Sequence, residues 1–325
     1  MKGEGGQPLL FEGAGGSCPN VSVHGILSLP SDLVARPRSF VKMHGLQNHF
    51  VIFDGRTEQF RPAKSEIVRI CDAHTGVGAE QLLVLEQPSA KGHGASARMR
   101  IYNVDGHEAE ACGNATRCVA WLLTQESQTD TVSIETQAGV LACSRLPSEC
   151  MSVRVELGRV LSRCQDIPLT REVETLPCPQ LRAGPLVEPC LLSIGNPHAV
   201  FFVEGDFDSV EINKWAPIIA KDSLFPEQVN VGIAQIIDET NLRLVVYERS
   251  VGITRSCGSG ACVAVFAAKA RGFTSANAMD VHMPAGKVTI EITEGDRAIM
   301  TGPVAYCFSG QILCETTSFV TRSGD

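Results

Sequence analysis

The chain contains two similar stretches, and each combines a tyrosine, a cysteine ten residues later and the expected start of a helix. They are YNVDGHEAEACGNATRCVAW, residues 102–121, and YERSVGITRSCGSGACVAVF, residues 247–266. Asn114 and Ser259 follow Cys112 and Cys257 by two residues and occupy positions typical of a helix N-cap. A helix N-terminus carries about half a positive charge, which stabilises a thiolate or a bound carboxylate. The sequence therefore predicts two thiols, each at the beginning of a helix.

Further segments recur in the same order, about 150 residues apart. They are LQNHFVIF with IGNPHAVFFV, GVGAEQLLV with VNVGIAQII, and VSIETQAG with VTIEITEG. The alignment pairs Asn48 with Asn196 and Gln81 with Gln235. These segments are expected to form short strands separated by turns, and a period this long is not that of a solenoid. We expect an α+β fold of two pseudo-symmetric domains, each a mostly antiparallel sheet wrapped around a central helix, with the active site in the cleft between them.

The organisation along the chain follows from this duplication. Residues 1–37 are rich in glycine and proline and predict a flexible N-terminal extension. Residues 38–160 are expected to form the first domain and residues 161–303 the second. The last strand, about 304–320, is expected to return to the first domain. A polar turn is predicted at Gln47-Asn48, between the first two strands.

The composition excludes several classes of protein. A net charge of −8 argues against nucleic acid as the main partner. No apolar run approaches the roughly 18 residues of a membrane span. The 13 cysteines are odd in number and spread along 325 residues, unlike a secreted disulfide framework. Because no signal peptide is visible either, we expect a cytoplasmic protein with free thiols.

Two opposed thiols suit one difficult reaction, the removal of a proton from the α-carbon of an amino acid. Many enzymes use pyridoxal phosphate for this step, with a Schiff-base lysine and a phosphate-binding loop. Neither tyrosine-to-helix stretch contains a lysine, and no glycine-rich loop suits the phosphate. The alternative is a thiolate that removes the proton and a thiol that returns another to the opposite face. Backbone N–H groups at the helix starts would hold the substrate carboxylate.

Stretches between Lys42 and Pro303 resemble the diaminopimelate epimerase family. They are KMHGLQNHFVIFDGR, GVGAEQLL, RIYNVDGHEAEACGNATRC, SIGNPHAVFFV, VNVGIAQ, VYERSVGITRSCGSGACVA and MTGP. The resemblance implies epimerisation of LL-2,6-diaminopimelate to the meso form without a cofactor, in lysine and peptidoglycan precursor biosynthesis. It also implies a small-molecule amino-acid substrate and a homodimer, with neither nucleic acid nor membrane as partner.

The resemblance further implies a role for each site residue. Cys112 and Cys257 match the two acid/base residues, and His198 and Glu248 match assisting groups near the reacting amine. Residues expected to bind the substrate are Asn48, Gln81, Asn103, Gly113, Asn114, Asn196, Asn230, Glu248, Arg249, Gly258 and Ser259. The chain departs from the usual family pattern at His49, Glu80, His107, Ala115 and Ile253.

Two other functions fit parts of the sequence. One is racemisation of another amino acid, such as a different diamino acid or histidine, on the same scaffold. The other is a non-catalytic thiol protein that senses redox state or binds a metal. Zinc is disfavoured because Cys112 and Cys118, and likewise Cys257 and Cys262, point about 240° and 140° apart on their helices. No metal site is therefore expected.

Overall fold

The computed structural model describes residues 35–92, 94–146, 151–249 and 251–315. The predicted extension, residues 1–37, lies outside this range except for its last three residues. Those three belong to the first strand, where Ala35, Arg36 and Pro37 pair with residues 313–315. Strand β1 thus includes three residues that were assigned to the extension, because they pair with the C-terminal strand.

The first half of the chain forms strands and two helices in alternation. The strands are β1 (Ala35–Gly45), β2 (Asn48–Asp54), β3 (Gln81–Glu86), β4 (Ala97–Asn103), β5 (Glu108–Ala109), β6 (Thr131–Thr136), β7 (Gly139–Arg145) and β8 (Ser152–Arg159). The helices are α1 (Lys64–Cys71) and α2 (Gly113–Ser127).

The second half repeats this order. Its strands are β9 (Arg182–Ala183), β10 (Leu186–Val187), β11 (Cys190–Ser193), β12 (Pro197–Phe202), β13 (Asn230–Asp238), β14 (Asn241–Glu248), β15 (Gly252–Thr254), β16 (Ala278–Met283), β17 (Gly286–Thr293), β18 (Arg297–Pro303) and β19 (Ala305–Glu315). Its helices are α3 (Ile212–Ala220) and α4 (Gly258–Ala270), and 3₁₀ turns occur at Ala90–Gly92, Cys164–Asp166 and Phe207–Ser209.

The described strands pair antiparallel except at two places in each half, which are equivalent between the halves. The parallel pairs are β2 with β3 and β4 with β6 in the first half, and β12 with β13 and β14 with β16 in the second. Antiparallel pairing of β8 with β18 joins the halves, and β19 pairs with β1 along its whole length. Among the described residues, no helix is both long and apolar enough to cross a membrane.

One sheet of 17 strands runs through both halves, and in each half its strands pack around one helix. Helix α2 packs against the sheet residues of the first half, including Met43, Phe50 and Val153, all fully buried. Helix α4 is buried on nearly every side, as expected for a helix that is apolar all round. The predicted fold class, two pseudo-symmetric α+β units each built around a central helix, is confirmed.

The first hairpin turns one residue earlier than the sequence indicated. Leu46 and Gln47 are the two loop residues, with φ of 51° and 60°, and Gly45 pairs with Asn48. Positive φ at both positions is the conformation that suits a two-residue hairpin, because its twist matches that of the strands. The predicted turn at Gln47-Asn48 is wrong in register, and Asn48 is the first residue of β2.

The structure also corrects the alignment of the two halves at β3. Phe50 faces Gln81 in the pair of β2 with β3. His198, which is 148 residues after Phe50, faces Asn230 in the pair of β12 with β13. Asn230 is therefore the counterpart of Gln81, 149 residues later. The match of Gln81 with Gln235 is wrong, because strand register and not residue identity decides the equivalence.

A second correction concerns the segment that follows each central helix. In the parallel pairs, Ala97 faces Ile134 and Leu242 faces Val281. The counterpart of β6 is therefore β16, whereas VTIEITEG lies in β17. The two consecutive strands both alternate apolar and polar residues, so the sequence pattern alone did not separate them.

Candidate functional site

Each of the two predicted thiols lies at the N-cap position of a central helix. Cys112 has extended backbone angles (φ −151°, ψ 111°), as does Cys257 (φ −135°, ψ 107°), and helical geometry begins at the next residue. The Cys112 carbonyl accepts from Thr116 N at 2.9 Å, and the Cys257 sulfur accepts from Gly260 N at 3.4 Å. The prediction that Asn114 and Ser259 are the caps is wrong, since both lie inside the first helical turn.

The two helix starts meet at one side chain, the fully buried Met300 of β18. A Cβ atom on Gly113 would lie 2.8 Å from Met300 Cε, and one on Gly258 would lie 3.1 Å from Met300 Sδ. Neither glycine has a positive φ, so close approach and not turn geometry requires glycine here. The N-terminal ends of α2 and α4 therefore approach each other at Met300.

Cys112 is surrounded by amides from the first half. Its thiol donates to Asn48 Oδ1 at 3.7 Å, and Asn114 Nδ2 donates to the same oxygen at 3.3 Å. Asn48 Nδ2 donates in turn to the Glu80 carboxylate. Asn114 Nδ2 also lies 3.3 Å from Ser256 Oγ, next to Cys257 in the other half. Asn48 and Asn114 therefore connect the two thiol-bearing segments.

Cys257 has hydroxyl and imidazole neighbours instead. Its sulfur lies 3.5 Å from Ser259 Oγ. That hydroxyl contacts His198 Nε2 at 3.1 Å and accepts from Asn196 Nδ2 at 3.3 Å. Asn230 Nδ2 lies 3.5 Å from the same imidazole nitrogen. The structure thus brings four of the expected second-half residues into one group around Cys257.

The remaining expected residues lie on adjoining strand ends. Gln81 Nε2 donates to Asn103 Oδ1 at 2.9 Å across β3 and β4. Arg249 N donates to Asn230 Oδ1 at 3.0 Å, and the Arg249 guanidinium donates to the Glu227 carbonyl at 3.0 Å. Gln81 and Asn103 form a pair of their own, and no hydrogen bond between described residues joins them to either thiol.

Two buried polar atoms of the site have no hydrogen-bond partner within the described part of the chain. They are Gln81 Oε1 and His198 Nδ1. An unpaired buried acceptor or donor costs about 1–3 kcal/mol, so such atoms are rare unless another molecule satisfies them. Their presence on both sides of the site is consistent with polar groups of a ligand binding there.

Burial dominates the ionisation of both thiols. Burial of the sulfur raises the pKa of Cys112 to about 11, and the Glu248 charge adds to this effect. The pKa of Cys257 is also raised well above its ordinary value, by burial first and by Glu248 second. Backbone N–H groups of Ala115 and Gly260 oppose the shift, as the helix-start argument anticipates, but they are the weaker effect.

The two assisting candidates have shifted pKa values for the same reason. Burial raises the pKa of Glu248, and a hydrogen bond from Thr254 Oγ1 at 2.7 Å opposes the rise. His198 is fully buried, and burial lowers its pKa to about 3, with the nearby Arg249 charge as a second cause. His198 is therefore a neutral imidazole at any pH near 7.

The positions that depart from the family pattern differ in their distance from the site. Glu80 contacts Asn48 directly, and His49 stacks on His44 with ring centroids 5.6 Å apart. Ala115 is buried inside the core of the first half. His107 and Ile253 are exposed, and His107 contacts Asp105.

Sequence reasoning missed two residues that the structure places at the helix starts, Met300 and Arg117. Arg117 is fully buried on α2 and donates to Asn114 Oδ1 at 2.7 Å and to Met300 Sδ at 3.1 Å. A signal existed for Arg117, because it is a charged residue in the most apolar part of a helix expected to be central. Met300 begins the stretch MTGP, but nothing in that stretch indicated that its side chain lies between the two helix starts.

Comparison with known proteins identifies the family to which the sequence is similar. The diaminopimelate epimerase family model matches residues 40–161 and 190–307. A diaminopimelate epimerase from Rhodospirillum centenum is 42% identical over 275 residues, covering 85% of this chain and 92% of the relative. Another, from Acidiphilium cryptum, is 40% identical over 282 residues, covering 86% of this chain and 98% of the relative.

A solved structure shares the fold at much lower sequence identity. A hydroxyproline epimerase from Agrobacterium vitis superposes with a TM-score of 0.60 at 14% identity, covering 87% of this chain and 94% of that chain. A likeness at this identity concerns the fold alone, whereas the family model and the relatives concern the sequence itself. The chain belongs to the diaminopimelate epimerase family.

Proposed function

We propose that the protein epimerises LL-2,6-diaminopimelate to meso-diaminopimelate with Cys112 and Cys257 as its two acid/base residues. The observation that carries the proposal is the meeting of the two cysteine-capped helices at Met300. Family membership supports diaminopimelate as the substrate, and with it a place in lysine and peptidoglycan precursor biosynthesis.

The reaction needs only proton transfers. One sulfur, as thiolate, takes the α-proton and becomes a thiol, while the electron pair passes into the substrate carboxylate as an enolate. The other thiol gives its proton to the opposite face of the carbon and becomes a thiolate. Backbone N–H groups of Gly113, Asn114, Gly258 and Ser259 at the helix starts are the donors that would hold the carboxylate and the charge that develops on it.

Glu248 gives substrate binding a way to ionise a thiol. Its negative charge raises the pKa of both cysteines in the free protein. A substrate ammonium bound near Glu248 would offset that charge, and the pKa of both thiols would fall. His198, held neutral by burial, can accept or donate a hydrogen bond at this point without adding a second positive charge. The thiolate would thus form when substrate is bound.

The distal half of the substrate is a second amino-acid group. We assign Arg249 to its carboxylate, since a guanidinium pairs with a carboxylate in two parallel hydrogen bonds. Asn103, Asn196 and Asn230 supply neutral amides, and Asn48 and Gln81 line the first-half side. The unpaired Gln81 Oε1 is an acceptor suited to an ammonium.

The same proposal places the site between two domains, residues 38–160 with 304–320, and residues 161–303. Its support is the division of the buried side chains. Val304 packs with the first-half core around α2, and Cys314 packs in a second cluster of the same half that contains Phe40 and Phe53. Leu46 reaches across to the core around α4. A cytoplasmic homodimer remains part of the proposal, and size-exclusion chromatography with light scattering tests the dimer.

The test is isotope exchange in D₂O with LL-diaminopimelate and no added pyridoxal phosphate. NMR follows α-deuterium and chiral chromatography follows the stereoisomers. We expect deuterated meso product from the wild type and none from Cys112→Ala or Cys257→Ala. Cys262→Ala, on the same helix as Cys257 but buried within it, is the matched control and should remain active. Deuterium exchange into a different amino acid but not into diaminopimelate would overturn the proposed substrate. Exchange into no amino acid would favour a non-catalytic thiol protein.

A further inference from the structure

Arg117 is a buried guanidinium without a carboxylate partner among the described residues. It is the largest fully buried side chain of the described chain, and the charged or ionisable groups that act on it are the thiols of Cys118, Cys112 and Cys262. Within the described ranges, its Nε has no hydrogen-bond partner. Burying an unpaired charge costs several kcal/mol, so a core position held by arginine calls for a purpose beyond packing.

The hydrogen bonds of Arg117 run toward Cys112. Arg117 Nη2 donates to Asn114 Oδ1 at 2.7 Å, which turns the Asn114 amide nitrogen toward Asn48 Oδ1 at 3.3 Å. The same Asn48 oxygen accepts from the Cys112 thiol at 3.7 Å, and the Asn48 amide nitrogen donates to Glu80. A chain of contacts therefore leads from the guanidinium through two amides to a carboxylate, with the thiol attached at its middle.

The two ends of this chain determine the orientation of both amides. A guanidinium can only donate and a carboxylate can only accept, so Asn114 must present its oxygen to Arg117 and Asn48 must present its nitrogen to Glu80. No other arrangement satisfies both ends. Without Arg117, Asn114 would be free to turn its amide around, and the oxygen that faces Cys112 would lose its fixed partner.

The charge of Arg117 also acts on Cys112. The positive charge of Arg117 lowers the pKa of Cys112, whereas burial and the Glu248 charge raise it. The ionisable groups near these contacts are Cys118 on α2, Cys257 and Cys262 at the start and in the interior of α4, Glu248 on β14, and Glu80, and burial holds the three cysteines as thiols. Arg117 is thus the positive charge set against Glu248 at the helix starts.

We propose that Arg117 is a positioning residue for the Cys112 acid/base group: it fixes the Asn114 and Asn48 amides and favours the Cys112 thiolate with its charge. The role rests on the proposed function, in which Cys112 is one of the two bases. It differs from that function in being a property of the free protein, so it is measurable without turnover.

The experiment is the pH dependence of Cys112 alkylation by iodoacetamide. Cleavage after glutamate releases residues 111–126, and fragmentation of this peptide distinguishes Cys112 from Cys118. Three variants separate the contributions: Arg117→Lys keeps a charge and a donor, Arg117→Gln keeps a donor only, and Arg117→Met keeps neither. Cys164, in the peptide 157–172, is the internal control thiol.

We expect Arg117→Met to alkylate Cys112 about tenfold more slowly at pH 8, since loss of a neighbouring opposite charge raises a pKa by a unit or more. The rate of Cys112 alkylation in Arg117→Gln should fall between the rates in Arg117→Met and in the wild type, and the rate in Arg117→Lys should stay near that of the wild type. The rate of Cys164 alkylation should be the same in all variants. Circular dichroism identifies the variants that fold. If Arg117→Met does not fold, Arg117→Gln is the deciding variant. Rates of Cys112 alkylation within twofold of wild type in both Arg117→Met and Arg117→Gln would overturn the role of Arg117. If Cys112 alkylation is slowed as much in Arg117→Lys as in Arg117→Met, the charge of Arg117 does not favour the thiolate, and the proposal fails as well.

Discussion

The Cys112 thiol donates a hydrogen bond to the Asn48 side-chain oxygen across 3.7 Å. Asn48 begins β2 directly after the two-residue hairpin turn, so the position of this oxygen depends on Leu46 and Gln47 holding positive φ. The Cys112 sulfur therefore contacts the first hairpin of the chain, 64 residues away in sequence.

Asn48→Asp should move the pH dependence of catalysis to higher pH. A carboxylate at this position places a like charge beside the Cys112 thiolate, which raises the pKa of the thiol. We expect the limb of kcat/KM that reports the base to shift upward by about one unit. Gln47→Asp, which adds the same charge in the turn, is the matched control and should leave the profile in place. A profile unaltered by Asn48→Asp would mean that Cys112 does not titrate in catalysis.

Glu248→Gln should make both thiols more reactive in the free protein. The Glu248 charge raises the pKa of Cys112 and of Cys257, so its removal lowers both. We expect faster alkylation of both cysteines at pH 8, together with a higher KM because an ammonium partner is lost. Glu227→Gln, an exposed carboxylate near Arg249, is the comparison variant and should not accelerate alkylation. Slower alkylation in Glu248→Gln would contradict the assignment.

Gly113→Ala should destabilise the protein by about 1–3 kcal/mol, the usual cost of an added methyl group in a packed site. The new Cβ would lie 2.8 Å from Met300 Cε, and Met300 is fully buried and bonded by Arg117. Denaturant unfolding measures the change. Gly232→Ala is the control, because its Cβ meets only ordinary contacts of 3.5 Å and beyond. Combining Gly113→Ala with Met300→Val should recover part of the loss, and no recovery would mean that the clash lies elsewhere.

His198→Gln should reduce the loss of stability in acid. The folded-state pKa of His198 is lowered to about 3, below its ordinary value. The unfolded chain therefore binds the proton more readily, and this contribution to stability is full above pH 6.5 and is lost progressively as pH falls from there toward 3. Between pH 7 and pH 4.5 we expect the wild type to lose about 2 kcal/mol more than His198→Gln. Urea unfolding at the two pH values checks this, and equal losses would show that His198 is not held neutral.

Much of the architecture was predictable from local patterns. The two tyrosine-to-cysteine stretches predicted helices with a thiol at each start, and α2 and α4 begin one residue after Cys112 and Cys257. The segments that contain Gln81 and Asn230 were predicted to be strands, and β3 and β13 begin at these two residues. These features depend on neighbours in sequence, which is why the sequence revealed them.

The failures share a different cause. Asn114 and Ser259 were expected to cap their helices because of residue type, but the cysteines take that position and the two polar side chains bond across the site instead. Gln81 was matched to Gln235 by residue identity, whereas strand register shows that Asn230 is its equivalent in the second half. Side-chain partners and strand register are set by residues far apart in the chain, which a local pattern does not contain.

The sequence by itself determined the duplication, the α+β class, the family and the two cysteines at helix starts, since each is written in local residue order. Only the tertiary structure decided that both starts meet at Met300, that Glu248 acts on both thiols, and that Arg117 reaches Asn48 through Asn114. Those relationships arise when strands and helices from distant parts of the chain pack together. Burial then changes the charge state of each group, and no spacing along the chain encodes how deeply a sulfur or a guanidinium will be buried.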